Sequence, residues 1–577
     1  MKNKVLFYLP KSKGESEHFV LFSNPEKEII CFKRNSIKST LLLLSEYVKK
    51  GYFVAGFICY ETGCIFNDII PENQNLPYFY FGIYKNFKII KNLPKIENKD
   101  KFVLYDLNEN VDFNEYKTNV KKIRDFLKNG EVYQINYCFK KKFKFAGDSF
   151  ALFNELLKNQ KTKYGVFFEL GDYRFLSLSP ELFFSIENGK ITMKPMKGTI
   201  IKGGSENLSN IKDEKNLAEN IMIVDLIRND MGKICKINSI KTPKKFTVER
   251  YKTLYQMTST ITGKLRKKVK FIDIVYALFP SGSVTGAPKR RAMQIIKLLE
   301  KEQRGIYTGT IGFFSKDKAM FNVCIRTPII NTKTGEGEIG IGSGVVYDSK
   351  PEKEYKECQG KANFFISLAE DFRIFESMLY NRDNGFFLLN LHIHRLKNAC
   401  KKFGFRFDEK KIRKTLTTCT KKIKTSENFK VRIFTTPDGG LNADYSKIQA
   451  NNRDIKICFA DERVDSSNIF LYYKTNKREF YERNLKKVKE KGYDEVVFFN
   501  EKGELTECSY SNIFIEKNGI FYTPPIKCGL LNGIYRQYLL KKFPLKYKEK
   551  VLYKKDLINA DNIFICNSVR GMRRAVA

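Results

Sequence analysis

The hydrophobic pattern of this 577-residue chain ends in a helix-like segment at residues 354–370 and then starts again. Residues 372–380 are typical of a strand and residues 392–403 of a helix, which begins a second series of short elements. A chain of this length is too long for one ordinary domain. No flexible linker marks the junction, so motif content places the boundary and predicts two domains, residues 1–370 and 371–577.

The net charge of +40 raises the question of nucleic-acid binding. The lysines, however, are spread along the whole chain, and the sequence contains no basic-aromatic platform and no nucleic-acid-binding motif. Nucleic-acid binding is therefore kept only as a distant alternative. An apolar content of 42%, with 14% aromatic residues, is enough to build cores, which favours a globular protein over a disordered one.

The thirteen cysteines are irregularly spaced and include no Cys-x-x-Cys pair, which argues against a disulfide framework or a zinc ribbon. We also find no apolar run of membrane-spanning length and no secretory signal at the start. These observations predict a cytoplasmic protein with reduced thiols and no membrane partner. The chain has only three histidines, so most acid–base chemistry must rest on carboxylates, lysines and tyrosines.

Lys197 is the first candidate catalytic residue. It lies in residues 195–199 (PMKGT), which are predicted to form a turn after a short strand. The carboxylates of Glu181 and Glu219 flank it in sequence. An amine in such surroundings can act as a covalent nucleophile once its pKa is lowered.

Other segments are expected to converge on the same place. Glu219 lies on a predicted amphipathic helix at residues 215–228, and Glu357 and Lys361 share one face of another. Two carboxylates from different helices suggest a Mg²⁺ site, since Mg²⁺ prefers a few carboxylates and retains water and substrate oxygens. Arg326, on a predicted strand, is suited to clamp a carboxylate.

The stretch from about residue 130 to 365 resembles the chorismate-utilising enzymes, through long ordered matches at residues 177–181, 195–199, 218–230, 279–289 and 341–361. The resemblance implies an α+β fold, a two-layer α/β sandwich around a central cleft. It implies that Glu219 and Glu357 hold Mg²⁺ and that Glu181 is a catalytic acid. The implied substrate is chorismate, and the residues expected to bind it are Gln134, Gly198, Thr199, Tyr307, Arg326, Gly344 and Lys361.

Lys197 distinguishes between members of this family. Anthranilate synthases typically carry alanine at this position, whereas aminodeoxychorismate synthases carry lysine. The implied mechanism is attack of Lys197 on ring carbon C2 while the C4 hydroxyl leaves with a proton from Glu181; ammonia then adds at C4 and expels the lysine. Gln134 agrees, because isochorismate-forming relatives place a lysine base there. Gln256 stands where several relatives have histidine, and its role is left open.

Ammonia needs a source, and the sequence shows no glutaminase module with its cysteine nucleophile. The resemblance therefore implies a separate glutamine amidotransferase subunit as partner.

In the second half, Lys474 lies in residues 472–478 and Glu507 in residues 503–508, and a lysine and a carboxylate at this separation prove nothing by themselves. With the motifs at residues 392–396 and 566–571, these segments make residues 371–577 resemble fold-type IV PLP enzymes. The resemblance implies two small α/β subdomains, Lys474 as the lysine that carries pyridoxal 5'-phosphate (PLP), and Glu507 as the carboxylate that keeps the pyridine nitrogen protonated. It also implies that the cofactor phosphate is held by Arg395, Ile534 and Tyr535. A homodimer through this domain is one option that the sequence leaves open.

The family includes aminodeoxychorismate lyase as well as branched-chain and D-amino acid aminotransferases, and the sequence separates them poorly. Fusion favours the lyase, because the lyase consumes what the first half is expected to make. The aminotransferase remains the main alternative.

Overall fold

The computed structural model describes residues 3–9, 18–71, 76–91, 101–160, 162–201, 211, 213–250, 254–449 and 453–576. The chain divides into two compact units. The first contains most of residues 1–369. The second contains residues 370–577 together with two short segments, 98–105 and 145–148, that lie within the predicted first domain. Among the described residues, no helix combines the length and apolar character needed to cross a membrane.

The helices of the first 369 residues are α1 (Ile37–Lys49), α2 (Tyr60–Phe66), α3 (Phe113–Lys128), α4 (Ser149–Asn159), α5 (Glu214–Gly232), α6 (Phe271–Leu278), α7 (Lys289–Leu299) and α8 (Pro351–Ile366). The strands are β1 (Lys4–Leu9), β2 (His18–Ser23), β3 (Lys27–Cys31), β4 (Phe53–Ile58), β5 (Phe79–Tyr84), β6 (Lys88–Ile90), β7 (Phe102–Glu109), β8 (Gln134–Gly147), β9 (Tyr164–Leu170), β10 (Tyr173–Ser179), β11 (Leu182–Glu187), β12 (Lys190–Lys194), β13 (Met196–Ile201), β14 (Lys241–Arg250), β15 (Leu254–Lys264), β16 (Gly286–Ala287), β17 (Thr310–Phe314), β18 (Lys318–Val323), β19 (Ile329–Asn331) and β20 (Glu336–Val345).

Two large sheets form the first unit. One has the strand order β16-β8-β20-β19-β10-β9-β1-β2-β6, and the other β13-β15-β12-β11-β18-β17-β4-β5-β3, with β14 beside β15. All of the registered pairs in these two sheets are antiparallel, for example β8 with β20 and β13 with β15.

Apolar side chains show how these layers pack. A cluster that includes Phe7, Phe57 and Phe168 draws residues from both sheets, so the sheets face each other. Separate clusters pack α1, α5 and α6 against one sheet and α3, α7 and α8 against the other. The predicted α+β class with a two-layer sandwich is confirmed, each layer being a sheet with helices on its outer face.

The second unit contains the helices α9 (Leu389–Phe403), α10 (Glu409–Thr420), α11 (Glu479–Lys489), α12 (Ile534–Lys542) and α13 (Lys554–Ile558). Its strands are β21 (Ile374–Asn381), β22 (Gly385–Phe386), β23 (Asn428–Thr435), β24 (Leu441–Lys447), β25 (Ile455–Phe459), β26 (Glu495–Phe499), β27 (Leu505–Cys508), β28 (Asn512–Lys517), β29 (Ile520–Thr523), β30 (Tyr547–Glu549), β31 (Asn562–Asn567) and β32 (Gly571–Val576).

These strands form two sheets, β22-β21-β23-β24 and β27-β26-β25-β32-β31-β28-β29-β30. Helices α9 and α10 pack on the first sheet through a core that includes Leu396, Leu416 and Val431. The other sheet has its own core around Ile457, Val497 and Ile565. Two small α/β subdomains are therefore present, as predicted.

Candidate active sites

A cavity of about 180 Å³ lies in the first unit. Most of the predicted site residues of this half line it: Glu181, Lys197, Gly198, Glu219, Tyr307, Arg326, Gly344, Glu357 and Lys361. Gln134 is buried just behind them, and the side chain of Thr199 lies outside the described residues. Segments more than 150 residues apart in sequence thus meet at one polar cavity.

The amine of Lys197 lies against Gly344. A Cβ built on Gly344 would come within 3.1 Å of Lys197 Nζ and 2.8 Å of Gln134 Nε2, so the absent side chain is what leaves room for both. The prediction of a turn around Lys197 is wrong, because Met196–Ile201 is strand β13, in which Lys197 pairs with Met257 of β15. Pairing with β15 overrides the local proline and glycine signals, and the register shifts beside Gly198, whose φ is +76°.

Glu181 is the buried acid of this cavity, with only 3% of its surface exposed. Burial raises the pKa of its carboxyl to about 7, although the Ser283 hydroxyl and the charge of Lys197 act to lower it. Ser283 Oγ donates a hydrogen bond of 2.6 Å to Glu181 Oε1. A carboxyl with this pKa is partly protonated near neutral pH and can serve as a general acid.

The two predicted metal ligands each have a protein partner. Gln134 Nε2 donates to Glu219 Oε2 at 3.2 Å, and Lys361 Nζ lies 2.7 Å from Glu357 Oε1 and donates to the carbonyl of Gly342 at 2.9 Å. Burial acts to lower the pKa of Lys361, but Glu357 outweighs it and the pKa is raised. Lys361 therefore stays charged.

The oxygen donors fit Mg²⁺. Within the described ranges, no group of three or more histidine, cysteine or acidic side chains is placed to hold a metal. Mg²⁺ does not require one, because it commonly binds through one or two carboxylates and completes its shell with water and substrate oxygens. Glu219 and Glu357 line the same cavity and supply that pair.

Arg326 is nearly buried and lines the cavity, but it is not on a strand as predicted. The predicted strand at residues 321–330 is interrupted between β18 and β19, and Arg326 has a φ of +52° in the break. The left-handed conformation of Arg326 interrupts the strand that the apolar pattern of this segment predicts. Tyr307 reaches the cavity over Gly340, where an added Cβ would collide with the Tyr307 ring at 2.2 Å.

Sequence reasoning missed the residues that shape the cavity from behind. The Arg304 guanidinium is buried, pairs with both oxygens of Glu300, and donates to the carbonyls of Val284 and Asn136 at 2.8 and 2.6 Å. It thereby joins the glycine-containing loop at residues 281–289 to the start of β8. The sequence contains one indication of this role, the spacing of four residues between Glu300 and Arg304, and that spacing is more typical of an ion pair on a helix surface.

Gln256, whose role was left open, lines the same cavity. Its Oε1 is buried and has no hydrogen-bond partner among the described residues.

In the second unit, Lys474 is the buried amine. Burial lowers the pKa of its amine to about 7, and the positive charges of Arg478 and Arg395 act in the same direction. Its Nζ lies 4.8 Å from the centre of the Phe375 ring. A lysine with a pKa of about 7 is partly neutral near pH 7, and the neutral amine has the free electron pair needed to bond covalently to an aldehyde.

Glu507 is buried and held by three donors. Tyr481 Oη and the backbone N–H of Leu531 donate to its Oε1 at 3.1 and 3.2 Å, and Asn512 Nδ2 donates to its Oε2 at 3.2 Å. Burial nevertheless raises the pKa of Glu507 to about 7. The charge of Glu507 acts to raise the pKa of Lys474, and the charge of Lys474 acts to lower the pKa of Glu507. The two groups therefore lie within electrostatic range of each other.

Two of the three predicted phosphate-binding residues, Ile534 and Tyr535, begin α12, and the third, Arg395 on α9, contacts the residue before the N-cap of α12. Arg395 Nη1 donates to the carbonyl of Asn532 at 3.1 Å, and Ile534 and Tyr535 form the first turn of that helix. The N-cap, Gly533, makes no side-chain cap, and the first backbone N–H groups of a helix have no partner within the helix, so the start of α12 is suited to bind an anion. A Cβ on Gly533 would lie 1.9 Å from Asn512 Oδ1.

These groups fit PLP. A buried amine of lowered pKa, a buried carboxylate, and an arginine at a helix N-terminus match an aldehyde, a pyridine nitrogen and a phosphate. The prediction that Lys474, Glu507, Arg395, Ile534 and Tyr535 bind this cofactor remains a proposal.

Comparisons with known proteins found relatives of both halves. Residues 373–577 match the amino-transferase class IV family. Anthranilate synthase component 1 of Cereibacter sphaeroides is 33% identical over 277 residues, covering 47% of this chain and 55% of that protein. Aminodeoxychorismate synthase component 1 of Salmonella typhimurium is 36% identical over 266 residues, covering 44% and 58%. The chain thus spans little more than half the length of these curated relatives.

The crystal structure of anthranilate synthase component I from Streptococcus pneumoniae TIGR4 resembles the first half, with a TM-score of 0.54 and 27% identity over 60% of this chain and 91% of that one. Identity levels do not separate the two kinds of synthase, so the choice between them rests on the residues of the cavity. Residues 6–367, more than half of the chain, match the chorismate binding enzyme family, and the protein belongs to that family.

Proposed function

We propose that this chain is a bifunctional enzyme. Its first half makes 4-amino-4-deoxychorismate from chorismate and ammonia, and its second half converts that product to 4-aminobenzoate and pyruvate. The observation that carries the proposal is the amine of Lys197, which lies against Gly344 in a cavity that also holds the acid Glu181. An alanine at this position, as in anthranilate synthases, would supply no nucleophile.

In the first half, Lys197 Nζ forms a bond to ring carbon C2, the double bond shifts, and the C4 hydroxyl departs as water with the proton of Glu181. Ammonia then adds at C4 and the bond to Lys197 breaks, which returns the amine. Ser283 orients the Glu181 carboxyl for this transfer. The sum of these steps replaces a hydroxyl by an amine and releases one water, so atoms balance.

Binding groups for the two carboxylates of chorismate surround this pair. Glu219 and Glu357 would hold Mg²⁺, which neutralises the ring carboxylate when bound. Arg326, Tyr307 and the backbone at Gly344 are placed at the same cavity to receive the side-chain carboxylate. Gln134, which binds Glu219, is an amide and cannot activate water, so it does not support formation of isochorismate.

Ammonia would come from a separate glutamine amidotransferase subunit. Relatives named as component 1 support this, because that name implies a second component. A homodimer through residues 371–577 stays a prediction.

In the second half, PLP supplies an electron sink when it is bound through its aldehyde carbon. Lys474, released as a free amine, would take the proton from C4 of 4-amino-4-deoxychorismate. Glu507 would keep the pyridine nitrogen protonated, and Arg395 with the first turn of α12 would hold the phosphate. The C4 proton would go to Lys474, and the enolpyruvyl group would leave with its oxygen as enolpyruvate, which takes up one proton to become pyruvate, so that aromatic 4-aminobenzoate remains.

We also propose a cytoplasmic location. All thirteen cysteines, each within the described residues, are free thiols, and twelve of them are buried. Such a set is typical of a compartment that keeps thiols reduced.

The test is a coupled assay with the full-length chain. Chorismate with ammonium, or with glutamine and an amidotransferase subunit, should yield 4-aminobenzoate and pyruvate in equal amounts. Formation of anthranilate instead would refute the first assignment. Accumulation of aminodeoxychorismate, together with transamination of D-alanine or branched-chain amino acids, would refute the second.

A further inference from the structure

A buried three-residue group lies behind the proposed phosphate site of the second unit. Arg395 Nε donates to Glu376 Oε1 at 2.7 Å, and Arg395 Nη2 donates to Glu376 Oε2 at 2.8 Å. Glu376 is 2% exposed and lies on the buried face of β21. A two-point contact between planar groups fixes the orientation of a guanidinium as well as its position.

His392 completes the group. It is fully buried, and its Nδ1 lies 2.7 Å from Glu376 Oε2. Burial lowers the pKa of His392, which favours the neutral imidazole with its proton on Nδ1, directed at the carboxylate. His392 and Arg395 are three residues apart on α9 and so share a helix face. Glu376 therefore accepts three hydrogen bonds from one face of that helix.

The carboxylate of Glu376 remains ionised at any ordinary pH. Burial acts to raise its pKa, but the charge and hydrogen bonds of Arg395, with the contact from His392, lower it to about 2. The pair is thus a permanent ion pair, and breaking a buried pair by removing one partner is costly.

Arg395 keeps part of its donor capacity. A guanidinium has five N–H groups, of which two are used by Glu376 and one by the Asn532 carbonyl. The contact with Asn532 places the guanidinium beside the first turn of α12. One N–H on each terminal nitrogen is left for an anion at that helix end.

We propose that Glu376 and His392 are positioning residues that hold the Arg395 guanidinium in the orientation that receives the phosphate of PLP. This inference rests on the proposed cofactor of the second half. The long arginine side chain would otherwise lose its rotamer freedom when the phosphate binds, and that entropy would weaken binding. The negative charge of Glu376 offsets part of the positive charge of Arg395, which by itself would weaken phosphate binding. Glu376 therefore contributes to phosphate binding by orienting the guanidinium and not by its charge.

The experiment measures PLP binding to the full-length apoprotein by absorbance titration, and the environment of the phosphate by ³¹P NMR. The variants are Glu376→Gln, which sets an amide N–H against an arginine N–H, and His392→Phe, which removes the third contact. The matched control is His394→Phe, on the exposed side of the same helix.

We expect the Kd for PLP to rise about tenfold in Glu376→Gln and severalfold in His392→Phe, with a shifted ³¹P resonance in both and no change in the control. The rate of 4-aminobenzoate release at saturating PLP should stay within about twofold of the wild type, as for a residue that acts through another. Glu376→Asp, which keeps the charge, should recover part of the affinity.

An unchanged ³¹P resonance and Kd, or tighter binding in Glu376→Gln, would overturn the proposal, since the latter would mean that charge outweighs orientation. If Glu376→Gln loses its thermal transition, Glu376→Asp replaces it: a Kd above the wild-type value together with a shifted ³¹P resonance counts in favour, and a wild-type Kd with an unshifted resonance counts against. Failure of the proposed function looks different: the wild type would bind PLP normally yet release no 4-aminobenzoate, or would bind no PLP at all.

Discussion

Removal of the Ser283 hydroxyl should change the pH dependence of the first half in a defined direction. Ser283 Oγ donates at 2.6 Å to the buried Glu181, whose pKa is about 7. This hydrogen bond favours the ionised carboxylate, so its loss in Ser283→Ala should raise the pKa further. A hydrogen bond to a charged group contributes roughly 1.5–3 kcal/mol, and 1.36 kcal/mol corresponds to about one pKa unit. The pKa of Glu181 should therefore move from about 7 to roughly 8 to 9.

The sign of the activity change follows from the acid role that we propose for Glu181. In that role its protonated form releases the C4 hydroxyl, so activity should fall as pH rises through the pKa of Glu181 and should fall at a higher pH in the variant. The assay is initial-rate formation of aminodeoxychorismate from chorismate and ammonium between about pH 6 and 9. The amount of free ammonia changes with pH in the same way for both proteins, so the ratio of variant to wild-type rates isolates the effect of Glu181.

That ratio should be flat at the acid end and rise by about tenfold or more at the alkaline end. Glu181→Gln is the matched control, because it cannot titrate; its activity should be lower by a factor of roughly 10²–10⁴ at the acid end and should lack the fall caused by deprotonation of Glu181. A ratio that stays flat, or that falls with increasing pH, would show that Glu181 is not the acid or that Ser283 does not hold it.

Three further changes test the two sites. Lys197→Ala should abolish aminodeoxychorismate formation while chorismate still binds, as measured by calorimetry; residual turnover near the wild-type rate would contradict the covalent role. Lys474→Ala should remove the visible absorbance band of the lysine-bound cofactor and leave aminodeoxychorismate formation intact, and a band that persists would assign PLP to another lysine. In Gly533→Ala, the new Cβ would lie 1.9 Å from Asn512 Oδ1 and should displace Asn512, which donates a hydrogen bond to Glu507. We expect weaker PLP binding by titration, and wild-type affinity would show that the start of α12 adapts freely.

Much of the first site could be predicted from sequence because its residues lie in long ordered motifs. The helices that carry Glu219 and Glu357 were predicted close to their observed bounds, since their apolar spacing is regular. The backbone around Lys197 and Arg326 was predicted wrongly. Pairing with β15 determines the backbone at Lys197, and a left-handed conformation between β18 and β19 determines that at Arg326. Neither feature produces a strong local sequence signal.

The support around each site was harder to foresee. Ser283 meets Glu181 across 102 residues of sequence, and Arg304 reaches Asn136 across 168. Glu376, which holds Arg395, stands in an ordinary strand pattern. Nothing in the local sequence distinguishes such residues from common surface or core positions.

The sequence by itself determined the family of the first half, the choice of lysine at position 197, and the presence of a second half that matches the amino-transferase class IV family. These depend on residue types at fixed spacings along the chain. Only the tertiary structure decided which groups touch: the amine of Lys197 against Gly344, the hydroxyl of Ser283 on Glu181, and the carboxylate behind Arg395. Burial sets the pKa values of these groups, and burial exists only once distant segments have packed together.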